Sequence, residues 1–458
     1  MASYDISRIQ IGDDTFNISG GGVRLVAVTV VSSDTDYGYA LGGGNAVAGT
    51  TVVVTAVVND GGNFVSWTQN GTVVSTNARY SFTADTDVTL TANFVAETHI
   101  WGVEIDQSNS DPEAAVTYIG DAVGMTAGSS DWDDIFGYRP CVLQNGSVLY
   151  YLNPNNYAQT EGGSTADITT LGNDVMVEFP KMGYRISTSG DIVTVEVTDV
   201  TDDPDFCYKP FSRDAIGDRD YFYYGAYKSY SSGSKLYSSS GKTPTASKTR
   251  ATYRSEATAR GTGYFQNGFY QLIFLQCLYI LKYKNRDSQA ALGYGYVGGS
   301  AAQTTGATNT SGLNYGNTSS QTDRMKLFGI EDFWGNIWQW MDGLSTDASR
   351  KYVVTHLPVN FDDATSGTAH TTYDSGITAD LGNYITTVQG TTDCGFAAKT
   401  TTGSSTTYWA DYASVWASCV ALFGGDWDGG ARAGVFRLSV DDAASFSGSA
   451  VASRLMYV

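Results

Sequence analysis

The sequence predicts an α+β protein in which strands dominate and one long helix lies buried in the C-terminal half. Gly, Ser, Thr and Tyr are used in excess over Lys, Glu and Leu, which favours strands and turns. Apolar and polar residues alternate in residues 6–18 and 64–94, whereas residues 266–283 are apolar nearly all round. These observations predict a small all-β N-terminal domain, a further β-rich region and a larger C-terminal domain that contains the helix.

Length and charge narrow the classes of function. A chain of 458 residues has room for about two to four domains. The net charge of −20 would repel nucleic acid and anionic lipid, so we expect neither as a partner. No apolar run approaches the roughly 20 residues that span a bilayer, and the N-terminus lacks the basic and apolar regions of a signal peptide. We therefore expect synthesis in a cytoplasm without export by a signal peptide.

Cysteine and histidine usage gives no metal or thiol motif. The five cysteines contain no CxxC pair, and we expect them to be reduced and mostly buried. The three histidines form no HxH or HExxH motif, so ordinary polar or core histidines are expected. The cysteines are Cys141, Cys207, Cys277, Cys394 and Cys419.

The first segment, residues 1–22, predicts a hairpin and a linker. Residues 6–18 alternate around a Gly-Asp-Asp turn, and three glycines follow at 20–22, a pattern typical of a β-hairpin and a chain break. The segment is similar to the leading segments of phage tail and baseplate proteins. This similarity implies attachment to other tail proteins through the N-terminus.

Residues 23–97 predict a small all-β domain. Two β-branched runs, 26–31 and 51–58, are followed by aromatic and apolar residues that alternate with polar ones, so one core face is expected. The unit resembles the divergent internalin B repeat, a bacterial and phage surface module, with an Ig-like spacer as the alternative. The residues expected in its core are Phe64, Trp67, Tyr80, Phe82, Leu90 and Phe94.

Residues 98–204 predict further strands, which we expect to pack on the C-terminal domain, 205–458, or to begin it. Within that domain, Phe269, Ile273, Cys277 and Ile280 form one stripe of a helix with apolar neighbours beside it. A helix that is apolar on nearly all sides is buried.

Two motifs organise the last part of the chain. One is Leu327-Phe-Gly-Ile-Glu-Asp-Phe-Trp-Gly-Asn-Ile-Trp-Gln-Trp-Met-Asp-Gly, and the other is Phe423-Gly-Gly-Asp-Trp-Asp-Gly-Gly-Ala-Arg-Ala-Gly-Val-Phe-Arg-Leu. The first resembles the Gly-Asn-Val-Trp-Glu-Trp box of formylglycine-generating enzymes. The second resembles the variable region of C-type-lectin-like proteins diversified by retroelements, among them a phage tropism determinant. The resemblance implies a C-type-lectin-like, formylglycine-generating-enzyme-like fold for residues 205–458.

The resemblance also implies how the C-terminus arose. In that family, adenine-directed mutation of template Asn codons yields Asp, Ser, Gly, Phe, Arg and similar residues, but not Lys or Glu. This chain has no Asn after Asn383, no Glu after Glu331 and no Lys after Lys399. Residues 408–452 are therefore expected to be the diversified ligand-binding segment.

Alternation in this segment separates a frame from outward-facing residues. Gly permits positive φ and close backbone approach, and aromatic residues fill volume, whereas Tyr, Ser and Arg suit adaptable binding surfaces. The frame is predicted to comprise Trp334, Asn336, Trp338, Trp340, Gly424, Gly425, Trp427, Gly430 and Gly434. The three tryptophans of the first motif are expected in the core, and Asn336 is expected to tie loops together. The predicted ligand-binding residues are Tyr408, Asp411, Tyr412, Ser414, Ser418, Val420, Asp426, Asp428, Arg437, Ser439, Asp441, Asp442 and Phe446.

These patterns predict an adhesin of a phage or prophage tail that recognises a bacterial surface protein or glycan. We expect a homotrimer or attachment in several copies, because avidity multiplies weak contacts. A structural tail or decoration protein of fixed specificity is the alternative. An oxidase like the formylglycine-generating enzymes is disfavoured, because no second Cys lies near Cys394 or Cys419 to complete a copper site.

No catalytic residues and no cofactor are expected. The adjacent pairs Glu331-Asp332 and Asp441-Asp442 are expected to be solvated carboxylates rather than acid-base catalysts. Many lectin-like folds bind calcium through Asp, Asn and Glu oxygens, so a structural calcium ion is kept as an alternative.

Overall fold

The computed structural model describes residues 8–11, 14–17 and 24–458. The chain is β-rich and divides into two compact units, Met1–Thr98 and His99–Val458. The first strands, Arg8–Ile11 and Asp14–Asn17, pair antiparallel as the alternation predicts. The glycine linker predicted at residues 20–22 lies outside the described residues.

The first unit is all-β, as predicted. A five-stranded sheet has the spatial order Gly44–Val47, Leu25–Ser32, Val88–Ala96, Gly62–Gln69 and Thr72–Ser75. A three-stranded sheet has the order Gly38–Leu41, Thr50–Val58 and Arg79–Ala84. Trp67, Leu90 and Phe94 are buried, and the half-buried Phe64, Tyr80 and Phe82 pack against the same core. The predicted core face is thus confirmed, because period-two alternation places these residues on one side of their strands.

Two antiparallel sheets begin the second unit. The four-stranded sheet has the order Val116–Gly120, Ile100–Asp106, Ile192–Thr198 and Gly183–Ser189. The seven-stranded sheet has the order Asn156–Thr160, Ser147–Asn153, Arg139–Gln144, Asp174–Pro180, Tyr221–Gly225, Leu455–Tyr457 and Tyr264–Gln266. Because strands from both sides of residue 204 pair within the second sheet, the sequence-based division at 204/205 cuts through one sheet.

A larger sheet carries the C-terminal motif. Its order is Thr371–Tyr373, Tyr352–Val354, Trp338–Thr346, Val420–Phe423, Leu438–Asp442, Tyr412–Val415 and Leu381–Tyr384, and Val451–Ala452 pairs parallel with Trp338–Thr346. Three short hairpins complete the strands: Tyr230–Ser232 with Lys235–Tyr237, Lys326–Leu327 with Ile330–Glu331, and Thr387–Val388 with Ala398–Thr400.

Helices are few and mostly short. The α-helices are Asp131–Phe136, Arg250–Thr258, Phe269–Tyr283 and Ser288–Ala291, and the 3₁₀ helices are Lys209–Phe211, Pro358–Asn360 and Gly430–Arg432. Among the described residues, none of the helices has the length and apolar character needed to cross a membrane.

The helix Phe269–Tyr283 is the predicted buried helix. Every residue from Phe269 to Lys282 is buried, which confirms the expectation from its all-round apolar sequence. It packs on the four-stranded sheet and on the strand Trp338–Thr346 of the larger sheet. The helix begins at Phe269 rather than at 266, because Tyr264–Gln266 pairs with Leu455–Tyr457 as a strand.

The end of the chain closes the second unit. The strand Leu455–Tyr457 lies between Tyr221–Gly225 and Tyr264–Gln266. Next to it, the fully buried Arg454 donates from Nη1 to Gly225 O at 2.8 Å. This guanidinium therefore connects the C-terminus to the seven-stranded sheet from inside the core.

Candidate functional site

The two sequence motifs meet in the larger sheet. Gln339 of the first motif lies opposite Phe423 of the second, and Gly335 N donates to Gly424 O at 3.0 Å. Gly424 has a φ of +89°, and a Cβ there would lie 3.1 Å from Phe333 O. Only glycine accepts both the left-handed backbone and this approach without strain, so the frame between the motifs depends on it.

The first motif supplies the core beneath this junction. Trp334 and Trp340 are fully buried, as predicted. Asn336 accepts a hydrogen bond from Gln303 N at 2.7 Å and donates to Asp332 Oδ2 at 2.7 Å. Asn336 therefore ties the preceding loop to the motif, which confirms its expected role.

A groove opens at the surface above the junction. It consists of two cavities of about 370 and 180 Å³ that share Trp338, Asp426 and Arg437 in their linings. We call this feature the C-terminal groove. The larger cavity is lined by Trp338, Leu422, Asp426, Arg437, Ser439, Asp441, Asp442, Phe446, Gly448, Ser449, Ala450 and Val451. The smaller is lined by Trp338, Gly425, Asp426, Asp428, Gly429, Arg432, Ala433 and Arg437.

Arg437 lies at the centre of the groove. Its guanidinium carbon is 4.9 Å from the centroid of the Trp338 ring and 4.6 Å from that of the Tyr412 ring, which gives two cation–π contacts. The residue is only 7% exposed, and its Nε and Nη1 have no hydrogen-bond partner among the described residues. Burial lowers the pKa of Arg437 to about 10, with an opposing effect from Asp441. The group therefore stays charged at neutral pH.

Carboxylates surround this guanidinium. Burial, reinforced by the neighbouring Asp428, raises the pKa of Asp426 to about 6. Burial and the adjacent Asp441 raise the pKa of Asp442 to about 6. Ser439 Oγ donates to Asp441 Oδ1 at 2.9 Å. The groove thus offers several hydrogen-bond acceptors around a cation with free donors.

Seven of the thirteen predicted ligand-binding residues line this groove, and an eighth, Tyr412, stacks on Arg437 from the side. The residues that line it are Asp426, Asp428, Arg437, Ser439, Asp441, Asp442 and Phe446. Phe446 is 40% exposed, and its ring lies 6.3 Å from that of Trp340. The structure therefore brings together the predicted residues that follow Phe423.

The predicted residues before Phe423 are placed differently. Asp411 is 1% exposed and accepts a hydrogen bond from Phe436 N at 2.7 Å. Ser414 and Val420 are also buried in strands of the larger sheet. The expectation that these three side chains face outward is wrong, because the fold buries all three. Burial also raises the pKa of Asp411 well above its ordinary value.

Two of the earlier residues retain some exposure without reaching the groove. Tyr408 is half-buried, and its backbone N donates to Ser110 O at 2.8 Å. Ser418 is exposed in a turn with a φ of +59°. Within the groove, Arg437 and Ser439 are buried rather than outward-facing, at 7% and 4% exposure, so they form its floor.

The frame residues of the second motif also divide. Gly425 has a φ of +80°, and Gly434 approaches the carboxylate of Asp411 so closely that a Cβ would lie 2.0 Å from its Oδ1. Gly430 begins the short 3₁₀ helix Gly430–Arg432, and Trp427 is half-buried. The glycines therefore set the backbone path, as predicted.

Trp338 and Arg432 were not predicted to line a binding surface. Trp338 was expected in the core, but it is only partly buried and lines both cavities. In the sequence, no pattern distinguishes Trp338 from the fully buried Trp340 two residues later. Arg432 is exposed beside the predicted Asp428, and no sequence pattern distinguishes it from the frame around it.

The other candidate sites have structural partners. Glu331 and Asp332 were expected to be solvated, but both are buried. Arg324 forms an ion pair with each of them. All five cysteines are free and four are buried. Burial raises the pKa of Cys394 to about 12 and that of Cys419 to about 11, so both thiols are protonated at neutral pH. Within 8–11, 14–17 and 24–458, no three His, Cys, Asp or Glu residues form a set that could hold a metal ion.

Comparison with known families assigns the first unit only. Residues 28–98 match the model of the divergent InlB B-repeat domain, which confirms the resemblance seen in the sequence. No curated protein matches the chain. The matched range contains nearly all of the strands of the all-β unit. None of the matched residues lines the C-terminal groove. The first unit is therefore similar to a divergent InlB B-repeat domain.

Proposed function

We propose that this chain is a ligand-binding adhesin of a phage or prophage tail, made in the host cytoplasm and carried on the virion tail. Its second unit would be a C-type-lectin-like domain whose C-terminal face recognises a bacterial surface protein or glycan. In this proposal the N-terminal hairpin attaches to other tail proteins. The unit similar to an InlB B-repeat serves as a spacer between attachment and binding.

One observation carries the proposal. Seven residues selected from the sequence as ligand-binding line one groove that contains a buried, unpartnered guanidinium. Around them, left-handed glycines and buried tryptophans fix the backbone. A concave site with a few convergent polar groups on a rigid frame is what small-ligand and receptor recognition require.

The geometry also supports diversification of part of the segment. Asp428 and Phe446 are exposed, so substitution there would alter the surface with little cost in stability. Asp411, directly before the strand Tyr412–Val415, and Val420, within the strand Val420–Phe423, are buried, so substitution there would disturb packing. We therefore place the diversified positions among the residues that line the groove.

Sequencing the gene and its flanking DNA from many cells of one population tests this proposal. The expected result is variation concentrated at the groove positions, with a nearby reverse transcriptase gene and an Asn-rich template repeat. Constant codons throughout residues 408–452, with no such neighbour, would favour a fixed-specificity adhesin or a structural tail protein.

Binding to host cells provides the second test. Full-length protein carrying Asp428→Asn and Phe446→Ala should lose cell binding, whereas protein carrying Arg139→Gln, a change outside the groove, should retain it. Equal binding by all of these proteins would show that recognition does not use the groove.

A further inference from the structure

The unpartnered donors of Arg437 indicate the chemistry of the ligand. Its Nε and Nη1 are buried without acceptors among the described residues, in a side chain that is 7% exposed and lines both cavities of the groove. Leaving buried donors unsatisfied costs about 1–3 kcal/mol each. Trp338 and Tyr412 both contact the guanidinium through their rings. A ligand in the groove that supplies hydrogen-bond acceptors next to Arg437 therefore matches this guanidinium.

The surrounding groups require donors from the same ligand. Four carboxylates line the groove, against the two guanidinium groups of Arg432 and Arg437. Ionised carboxylates only accept hydrogen bonds. Ser439 Oγ reaches one oxygen of Asp441, and no hydrogen bond within the described residues joins the Arg437 Nε or Nη1 to any of the four. A matching ligand thus accepts hydrogen bonds from Arg437 at the floor of the groove and donates hydrogen bonds to the carboxylates that line its walls.

Charged ligands meet only one of these requirements. A carboxylate or sulfate would accept from Arg437 but would face four carboxylates in a chain of net charge −20. A lysine or arginine side chain would donate to the carboxylates but would bring a second cation to a guanidinium that is already poorly solvated. In either case like charges lie close together, which is costly.

A hydroxyl group meets both requirements, because it donates one hydrogen bond and accepts others. We infer that the C-terminal groove binds a neutral, hydroxyl-rich sugar, with Arg437 donating to ring or hydroxyl oxygens and the carboxylates accepting from hydroxyl groups. This inference rests on the proposed function and specifies its ligand class.

The apolar lining and the size of the groove agree with this ligand. Trp338 and the 40% exposed Phe446 line the larger cavity and offer aromatic surfaces to the C–H face of a sugar ring. The volume of about 370 Å³ lies within the roughly 300–1,000 Å³ typical of small-molecule sites. One or two sugar units at the end of a longer glycan would fit this description.

Saturation-transfer NMR on the full chain tests the inference. The probes are neutral hexoses, deoxyhexoses and N-acetylhexosamines in one set, uronic and sialic acids in a second, and blocked lysine and arginine amides in a third. We expect transfer to members of the neutral set only. Arg437→Gln should weaken that binding about tenfold or more, the loss expected when hydrogen bonds from a charged group disappear.

Two further variants guard against misfolding of Arg437→Gln. Phe446→Ala and Asp428→Asn change exposed side chains and should lower sugar binding while leaving thermal unfolding unchanged. Arg139→Gln, at an exposed ion pair with Glu161, is the matched control and should bind like the unmodified protein.

The outcomes separate this inference from the proposed function. Transfer only to the acidic sugars, only to the amides, or to none of the three sets would overturn the neutral-sugar inference. Equal sugar binding by the groove variants and the unmodified protein would also overturn it. If host-cell binding still depended on Asp428 and Phe446 in those cases, the proposed adhesin function would stand with another ligand, such as a surface protein.

Discussion

Replacing Arg454 by Met is expected to destabilise the second unit strongly. Arg454 is fully buried and donates from Nε to Gln339 Oε1 at 3.0 Å and from Nη1 to Gly225 O at 2.8 Å. Its Nη2 donates to Glu331 O at 3.0 Å and to Asp332 O at 2.9 Å. One side chain thus joins the first motif, the seven-stranded sheet and the C-terminus.

The size of the effect follows from these four acceptors. A buried acceptor that loses its donor costs about 1–3 kcal/mol, so four losses amount to about 4–12 kcal/mol. Met removes a charge whose burial is unfavourable, since burial lowers the pKa of Arg454 to about 10, and this relief offsets several kcal/mol. We expect a net loss of about 4 kcal/mol in the free energy of unfolding, near the upper end for single substitutions.

Urea unfolding followed by tryptophan fluorescence measures this loss. Trp67 is the single tryptophan before residue 99 and eight of the nine lie after it, so the signal reports mainly on the second unit. Arg139→Met, which breaks an exposed ion pair with Glu161, is the control and should cost less than about 1 kcal/mol. A loss from Arg454→Met no larger than that of the control would refute the reasoning.

Three further predictions address the groove, the frame and the thiols. Because the folded-state pKa of Asp442 is raised to about 6 from an unfolded value of 3.8, ionisation destabilises the fold as pH rises between these values. Asp442→Asn should therefore stabilise the protein more at pH 7 than at pH 4, as measured by urea unfolding at both pH values. Gly434→Ala should lower the free energy of unfolding by about 1–3 kcal/mol, because its Cβ would lie 2.0 Å from Asp411 Oδ1. Gly162→Ala, where the nearest atom lies 3.9 Å from the added Cβ, should change the free energy of unfolding little in the same assay. Burial raises the pKa of the Cys277 thiol well above its ordinary value. Buried thiols such as this one should therefore react with a disulfide reagent only after denaturation. All five thiols should be titratable in the denatured protein.

Local sequence patterns predicted the features that depend on local geometry. The buried helix follows from apolar residues on all sides of a 3.6-residue period, and the core around Trp67 follows from strand alternation. Gly424 was predicted as frame because a left-handed backbone selects glycine. In each case the residue and its close neighbours in sequence contain the required information.

Features that depend on distant partners were not predictable. Gln266, the residue at which the sequence places the start of the helix, lies in the strand Tyr264–Gln266 because Leu455–Tyr457 arrives from the far end of the chain. Asp411 is buried because Gly434 and Phe436 N close over its carboxylate. Trp338 and Trp340 share one side of a strand, yet only Trp340 is fully covered. Alternation indicates which residues share a side, but it does not indicate what covers that side.

The contrast between Asp411 and Asp428 limits how any diversified segment can work in this fold. Any replacement of Asp411 must supply a new acceptor for Phe436 N and still fit against Gly434, so nearly every change there lowers stability. Asp428 is exposed in the loop that lines the smaller cavity, where most changes alter only the ligand surface. If mutation reached both positions equally, selection for folding would remove most variants at Asp411 before binding could be selected. Observed variation should therefore increase with side-chain exposure along residues 408–452, and equal variation at buried and exposed positions would contradict this placement of Asp411.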